Sequence, residues 1–164
     1  MKKLYMIGGT MGVGKTTVCK ILRDKLPNSV FLDGDWCWNM NPFQVTEETK
    51  AMVMSNICYL LNNYIHCSAY ENVIFGWVMH EQSTIDTILS RIDISTCDVK
   101  CISLICNENS LVQRLQADVD KGIRKYDVIE RSVFRIPLYD SLNTIKIDVS
   151  QIKALQVAEK IMEL

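Results

Sequence analysis

Leu4-Tyr5-Met6-Ile7 runs straight into Gly8-Gly9-Thr10-Met11-Gly12-Val13-Gly14-Lys15-Thr16-Thr17, and this passage from an apolar run to a glycine-rich turn decides the fold. Gly9 and Gly14 bracket four residues and precede Lys15 and Thr16, which fits the phosphate-loop pattern GxxxxGK followed by Ser or Thr. Glycine turns the backbone through conformations closed to other residues, so that successive N–H groups converge on one anion at the start of a helix. Lys15 then reaches the outer phosphates and the Thr16 hydroxyl ligates magnesium. The plainer reading is a glycine-rich turn that merely precedes a helix. The strand pattern before it, with Val18, Ile21 and Leu22 at helical spacing after it, favours nucleotide binding. The expected nucleotide contacts are Gly9, Met11, Gly12, Val13, Gly14, Lys15, Thr16 and Thr17.

Beyond the loop, Lys15 to Leu26 reads as a helix stopped by Pro27-Asn28, and Val30-Phe31-Leu32 as a short buried strand. Strand, helix and strand make a β-α-β unit, which implies a parallel sheet and an α/β fold. The second strand enters Asp33-Gly34-Asp35-Trp36-Cys37-Trp38-Asn39-Met40-Asn41-Pro42-Phe43, at the carboxyl end of the sheet where open α/β folds bind ligands. Of two carboxylates beside a phosphate loop, one can orient or deprotonate an acceptor hydroxyl and the other can hold magnesium. Either can also be a simple turn cap. Trp36 and Trp38, two apart, share a face if the loop is extended, and either line an acceptor pocket or seal the core.

Thr46 to about Ser68 is helical in pattern, opened by a loose capping box because Thr49 is not acidic. Val73-Ile74-Phe75 is a third strand. Where many phosphate-loop ATPases carry a magnesium-linked aspartate after it, Gly76-Trp77 stands here, which moves the acidic role to Asp33 and Asp35. His80 and Glu81 open the next helix, and His80 is either structural or a substrate contact. Val99 to Ile105 is a fourth strand, followed by a helix capped by Asn109 or Ser110 and running to Gly122. Of six arginines, Arg114, Arg124, Arg131 and Arg135 crowd into one region. If Ile123 to Ile136 is helical, 124, 131 and 135 share a stripe suited to phosphate oxygens. Asp127 and Glu130 could instead neutralise it. The phosphate loop elsewhere favours a lid, ended by Pro137. Thr144 to Val149 is a fifth strand, and Ser150 caps a last amphipathic helix.

The 164 residues, 48% hydrophobic and 23% charged, suit one globular domain spanning residues 1–164. A net charge of -1 gives no general attraction to nucleic acid. Seven cysteines without a CxxC pair read as free thiols in a reducing cytoplasm. The apolar run after Met1-Lys2-Lys3 is too short for export or a membrane span. Monomer and homodimer both stay open.

With the loop at Gly9 to Thr16, Asp33-Gly34-Asp35, and arginines 114, 124, 131 and 135 before a last strand and helix, the chain resembles small P-loop kinases over essentially its whole length. These are the gluconate, shikimate and adenylate kinases and the chloramphenicol phosphotransferase type. The resemblance implies a three-layer P-loop NTPase fold with a five-stranded parallel sheet of order 2-3-1-4-5 and helices on both faces. It also implies an acceptor-binding segment at about 36–68 and a short lid at about 114–137. Lys15 and Thr16 match the ATP and Mg2+ residues, Asp33 the acid facing the acceptor hydroxyl, and Asp35 the second, metal-linked acid. Arg114 looks like the arginine that packs on adenine, and Ser150 like part of the loop bordering it. Arg124 and Arg135 resemble lid arginines on the phosphates, with Arg131 between them and Tyr139 four residues after the last. Trp36, Trp77 and His80 fall on the acceptor side. A DGxPR-like signature is missing after the third strand, where Gly76-Trp77-Val78-Met79-His80 stands. The resulting expectation is an ATP-dependent phosphotransferase acting on a small hydroxylated acceptor. A nucleoside or nucleotide kinase ranks second, and a non-catalytic ATP-binding switch is the alternative of another class.

Overall fold

β1 (Lys2–Gly8) takes the centre of a five-stranded parallel sheet in the computed structural model, which describes residues 1–164. The strand order is β2-β3-β1-β4-β5, with β2 at Ser29–Asp33, β3 at Asn72–Gly76, β4 at Cys97–Ile105 and β5 at Ile145–Asp148. Parallel neighbours need crossover connections, and helices supply them. α1 (Lys15–Lys25), α2 (Glu47–His66), α3 (Gln82–Arg91), α4 (Glu108–Asp120), α5 (Asp127–Arg135) and α6 (Ala154–Met162) follow in chain order.

From Leu4 to Ile7 β1 is apolar and buried because both of its faces are covered there. Tyr5 and Ile7 point into one core with Val18 and Leu22 of α1, Leu111 and Leu115 of α4, and Ile161 of α6. Leu4 and Met6 point into the other with Val53, Ile57 and Leu61 of α2 and Ile88 of α3. The alternation of successive side chains thus divides one strand between two helical layers, giving the three-layer sandwich. Register aligns Ile7 with Gly76 on one side and Ile102 on the other, so the phosphate loop leaves the sheet between two strand ends. No helix is long and apolar enough to cross a membrane.

Several boundaries differ from the sequence reading for local reasons. The reciprocal cap of α2 is fully formed, because the Thr49 hydroxyl accepts the Thr46 N–H at 2.8 Å while Thr46 accepts the Thr49 N–H at 3.1 Å. α4 is capped by Asn107, whose side chain accepts the Ser110 N–H at 2.8 Å, and not by Asn109 or Ser110. α6 starts at Ala154 rather than at Ser150, since the Lys153 N–H is held by the Gln156 side chain at 2.9 Å. α5 is shorter than 123–136. Gly122 adopts a left-handed φ of 71° that ends α4, and the Ile123 N–H turns back to the Asp118 carbonyl at 2.9 Å.

One carbonyl joins three segments. Val78 O, just after β3, accepts the Gly9 N–H at 3.2 Å and the Tyr139 hydroxyl at 2.7 Å. Tyr139 lies in a 3₁₀ turn (Ile136–Tyr139) after α5 and is fully buried. Tyr139→Phe removes one of two donors to that carbonyl and leaves it satisfied by Gly9. The expected cost is about 1 kcal/mol of stability in urea unfolding; an unchanged midpoint would show the link to be inert.

Candidate active site

The turn between β1 and α1 is shaped by two glycines that other residues cannot replace. Gly12 has a φ of 82°, and a Cβ there would lie 2.4 Å from Leu115 Cδ2. Gly14, at φ 101°, opens α1 with no side-chain cap and no acid in the first turn. The first amides of α1 therefore stay free for an anion. The half-buried Lys15 donates from Nζ to the Thr10 carbonyl at 2.9 Å. Burial pulls its ammonium down to about 8, against the pull of Asp35 and Asp33.

Across from this cradle, Asp33 ends β2 and is 9% exposed. Its Oδ2 accepts the Thr16 hydroxyl at 3.0 Å, and its Oδ1 accepts the Asp35 N–H at 3.1 Å. Asp33 is therefore both the cap of the next turn and a neighbour of the phosphate-loop hydroxyl. Asp35 follows in a 3₁₀ turn (Gly34–Trp38). Its carboxyl is raised above the usual carboxylate range, by burial first and by the Asp33 charge second, with Lys15 and Trp77 opposing. Trp77 lies so close to the turn that a Cβ on Gly34 would meet its Cγ at 2.5 Å. Lys15, Thr16, Asp33, Asp35, Trp77 and Arg124 line one cavity of about 440 Å³. The structure thus brings the acid pair, the phosphate loop and two arginines, Arg114 and Arg124, together.

The arginines do not form one stripe. Arg124 precedes α5 and is held from its Nε by Asp118 of α4 at 3.1 Å, which keeps it on the phosphate cavity. Arg131 pairs with Asp127 at 3.2 Å on an exposed face. Arg135 has no carboxylate partner within 4.0 Å and touches Met11 Sδ at 4.0 Å. Arg131 and Arg135 open onto a second cavity of about 770 Å³ that shares Asp33, Asp35 and Met11 with the first. Thr10 donates to the Ser132 carbonyl of α5 at 2.8 Å, so the middle of α5 is fastened to the phosphate loop.

Arg114 is tied down as well. It donates to the Val13 carbonyl at 3.2 Å and the Val149 carbonyl at 2.6 Å. A third hollow of about 390 Å³ beside it is walled by Val13, Thr17, Val149, Ile152 and Val157. Ser150 does not line that hollow. Its hydroxyl accepts the Asn107 N–H at 2.9 Å, fastening the β5 loop to the start of α4. His80 is likewise apart from the acids, in a shallow depression with Glu130, Arg131, Phe134, Arg135 and Leu138. Burial and then Arg135 lower its pKa, with Glu81 opposing. Trp36 and Trp38 lie in the 3₁₀ turn and not in an extended loop, yet both reach the second cavity. Sequence reasoning missed Asp118, an ordinary helix acid in the primary structure, and the Val78 carbonyl, which no side chain marks. It also missed Phe43 and Val45 on the second cavity. Their one signal was apolar character in a loop just before a helix cap.

A family model described as AAA domain matches residues 6–134. No curated protein matches the sequence. Among solved structures, the tunicamycin resistance protein of Deinococcus radiodurans aligns at TM-score 0.69 and 18% identity, over 99% of this chain and 95% of that one. A gluconokinase from Sinorhizobium meliloti aligns at 0.65 and 16%, over 98% and 94%. A shikimate kinase from Acinetobacter baumannii, solved with shikimate, aligns at 0.60 and 19%, over 99% and 92%. These likenesses bear on the fold, which is that of small P-loop kinases.

Lys15→Met tests the cradle without assuming a substrate. Tripolyphosphate affinity by calorimetry is expected to fall about 10- to 100-fold. The thermal midpoint of the free protein should hold within about 2 °C, because relief of the half-buried charge offsets the lost Thr10 hydrogen bond. Undiminished tripolyphosphate binding would place the anion site elsewhere.

Proposed function

The chain belongs to the AAA domain family, matched over residues 6–134, and from that premise we propose that it is an ATP-dependent phosphotransferase. It moves the γ-phosphoryl group to a hydroxyl of a small-molecule acceptor. The observation that carries this reading is the 3.0 Å hydrogen bond from Thr16 to Asp33, because it sets a pair of acids directly against an anion cradle. A nucleotide-binding switch has no need of a second carboxylate there.

Thr16 Oγ1 and the Asp33 carboxylate are hard oxygen donors side by side, which suits Mg2+. No group of three His, Cys, Asp or Glu side chains could cage a metal, so these two would hold the ion together with phosphate oxygens and water. When bound, Mg2+ neutralises charge on the β and γ oxygens. The free amides of α1 bind the phosphates, and Lys15 exchanges the Thr10 carbonyl for their outer oxygens. Asp35 faces the acceptor. It orients the hydroxyl and takes its proton as the acceptor oxygen bonds to the γ phosphorus and the bond to the ADP oxygen breaks. The raised carboxyl of Asp35 suits a base that must also release the proton. This assigns the metal side to Asp33 and the acceptor side to Asp35, the reverse of the order taken from the family resemblance.

Arg124 and Arg135 flank the transfer from two sides and stabilise charge spread over the moving group. Arg131, already paired with Asp127, joins them on closure. The single domain divides into an acceptor side at 36–68 and a lid whose travel is centred on the turn 121–126, since Thr10 pins Ser132. Arg114 and the hollow beside it take the adenine base. Seven free thiols fit a cytoplasmic setting.

Paired substitutions separate the two acids. Asp35→Asn is expected to lower kcat by about 10²- to 10⁴-fold with ATP affinity retained. Asp33→Asn should instead raise the Mg2+ concentration for half-maximal rate about tenfold or more. ADP release coupled to an indicator enzyme reads both, and equal behaviour of the two variants would remove the division of labour. A switch would leave nucleotide binding intact in both and show no acceptor-dependent ADP release at all.

A further inference from the structure

Resting on the transferase reading above, we propose that the acceptor is an alcohol borne on a flat aromatic or heteroaromatic ring, with few hydroxyls besides the one that reacts. The second cavity, about 770 Å³, is where it binds, and that volume suits a nucleoside-sized molecule. The ring lies between indole and phenyl faces, and its hydroxyl points to Asp35.

The first argument is what the cavity exposes. Trp36 is 55% exposed, Phe43 66% and Val45 55%, and all three border this one hollow. The rings are braced and do not hang loose. Trp36 meets Phe31 edge-on with centroids 5.3 Å apart, and Trp38 meets Phe43 at 5.8 Å and 50°. Braced aromatic faces lose little freedom when a second ring covers them, so the apolar gain is kept. A flat ring is the shape that removes most of this surface from water at once.

The second argument is what the cavity cannot satisfy. Asp33, Asp35, Arg131 and Arg135 are committed to the transfer, which leaves Asn39 as the one neutral polar side chain on the wall. The two indole N–H groups can donate but not accept. A polyol acid would carry several hydroxyls into this lining, and each left without a partner weakens binding. The pocket therefore discriminates against polyols by leaving them unpaired.

The test uses the full chain with ATP and Mg2+, and four probes: thymidine and tyrosol against D-gluconate and D-glucose. Phosphate ester formation with kcat/KM at least about tenfold higher for thymidine or tyrosol supports the proposal. Trp36→Ala should then raise the KM for that acceptor about tenfold, with Trp36→Phe recovering most of it. Trp36 is half in water, so its loss does not threaten the core, and unchanged ATP affinity confirms that the variant is folded. Preferred transfer to gluconate or glucose overturns the acceptor class while the transferase reading stands. Transfer to none of the four by protein that binds ATP overturns both, and an unaltered acceptor KM in Trp36→Ala overturns the stacking wall.

Discussion

The hydrogen bond from Thr16 to Asp33 spans more of the molecule than its 3.0 Å suggests. β2 is not a neighbour of β1, for β3 runs between them. The first turn of α1 must therefore reach over the end of β3 to meet an acid on the far strand. Gly76 makes this possible. It stands level with Asp33 on one side and Ile7 on the other, and a Cβ there would come within 2.9 Å of Cys19 Sγ on α1. The place where related ATPases carry an acid is thus kept bare so that the helix can sit close. The carboxylate then comes from the next strand out, and absence at one position and presence at the other are one arrangement.

A second set of bonds limits how that site can move. Val78 O gathers the Gly9 N–H and the Tyr139 hydroxyl, while Thr10 reaches Ser132 on α5. The phosphate loop is fastened to the middle of α5 and to the turn after it. Each bond contributes about 1 kcal/mol, modest singly, but together they hold α5 against the loop at two points. The stretch near Gly122 is tied instead to α4, through the Ile123 N–H on the Asp118 carbonyl and Arg124 on the Asp118 carboxylate.

The sheet and the phosphate loop were legible because their signals are local. Four apolar residues before a fixed glycine spacing need no knowledge of the rest of the chain, and the strand order followed from resemblance to kinases of the same fold. The arginine row was misread because its helix depended on Gly122, whose left-handed turn offsets Arg124 from α5. A period of seven looks alike in sequence whether or not the helix is continuous. Asp33 and Asp35 were hard to tell apart for another reason: both are acids two residues apart, and only the crossing of α1 over β3 brings one of them, Asp33, to the Thr16 hydroxyl. Ser150 was placed by resemblance to the loop that borders adenine, and His80 by its expected closeness to the site at the start of the third helix. In the fold the Ser150 hydroxyl accepts the Asn107 N–H, and His80 borders a separate hollow beside Arg135.

The electrostatics of the free protein explain why these groups can bear such strain. α2 and α4 satisfy their first amides with Thr46 and Asn107, whereas α1 begins on a left-handed glycine with neither cap nor acid. Lys15 is held with its ammonium pulled down, and Asp35 with its carboxyl pushed up against Asp33. The bare amides and the lowered lysine both weaken the empty fold, and a polyphosphate at the cradle reverses both, whereas a further anion raises the Asp35 carboxyl in the same direction as Asp33 does. An anion there fills the bare amides and raises the lysine back toward its ordinary value. On the proposed reading, it also strengthens the basicity of Asp35 at the moment the acceptor arrives. Local rules are broken here in a mutually consistent direction, as expected where a site is organised for a ligand and not for the stability of the empty chain.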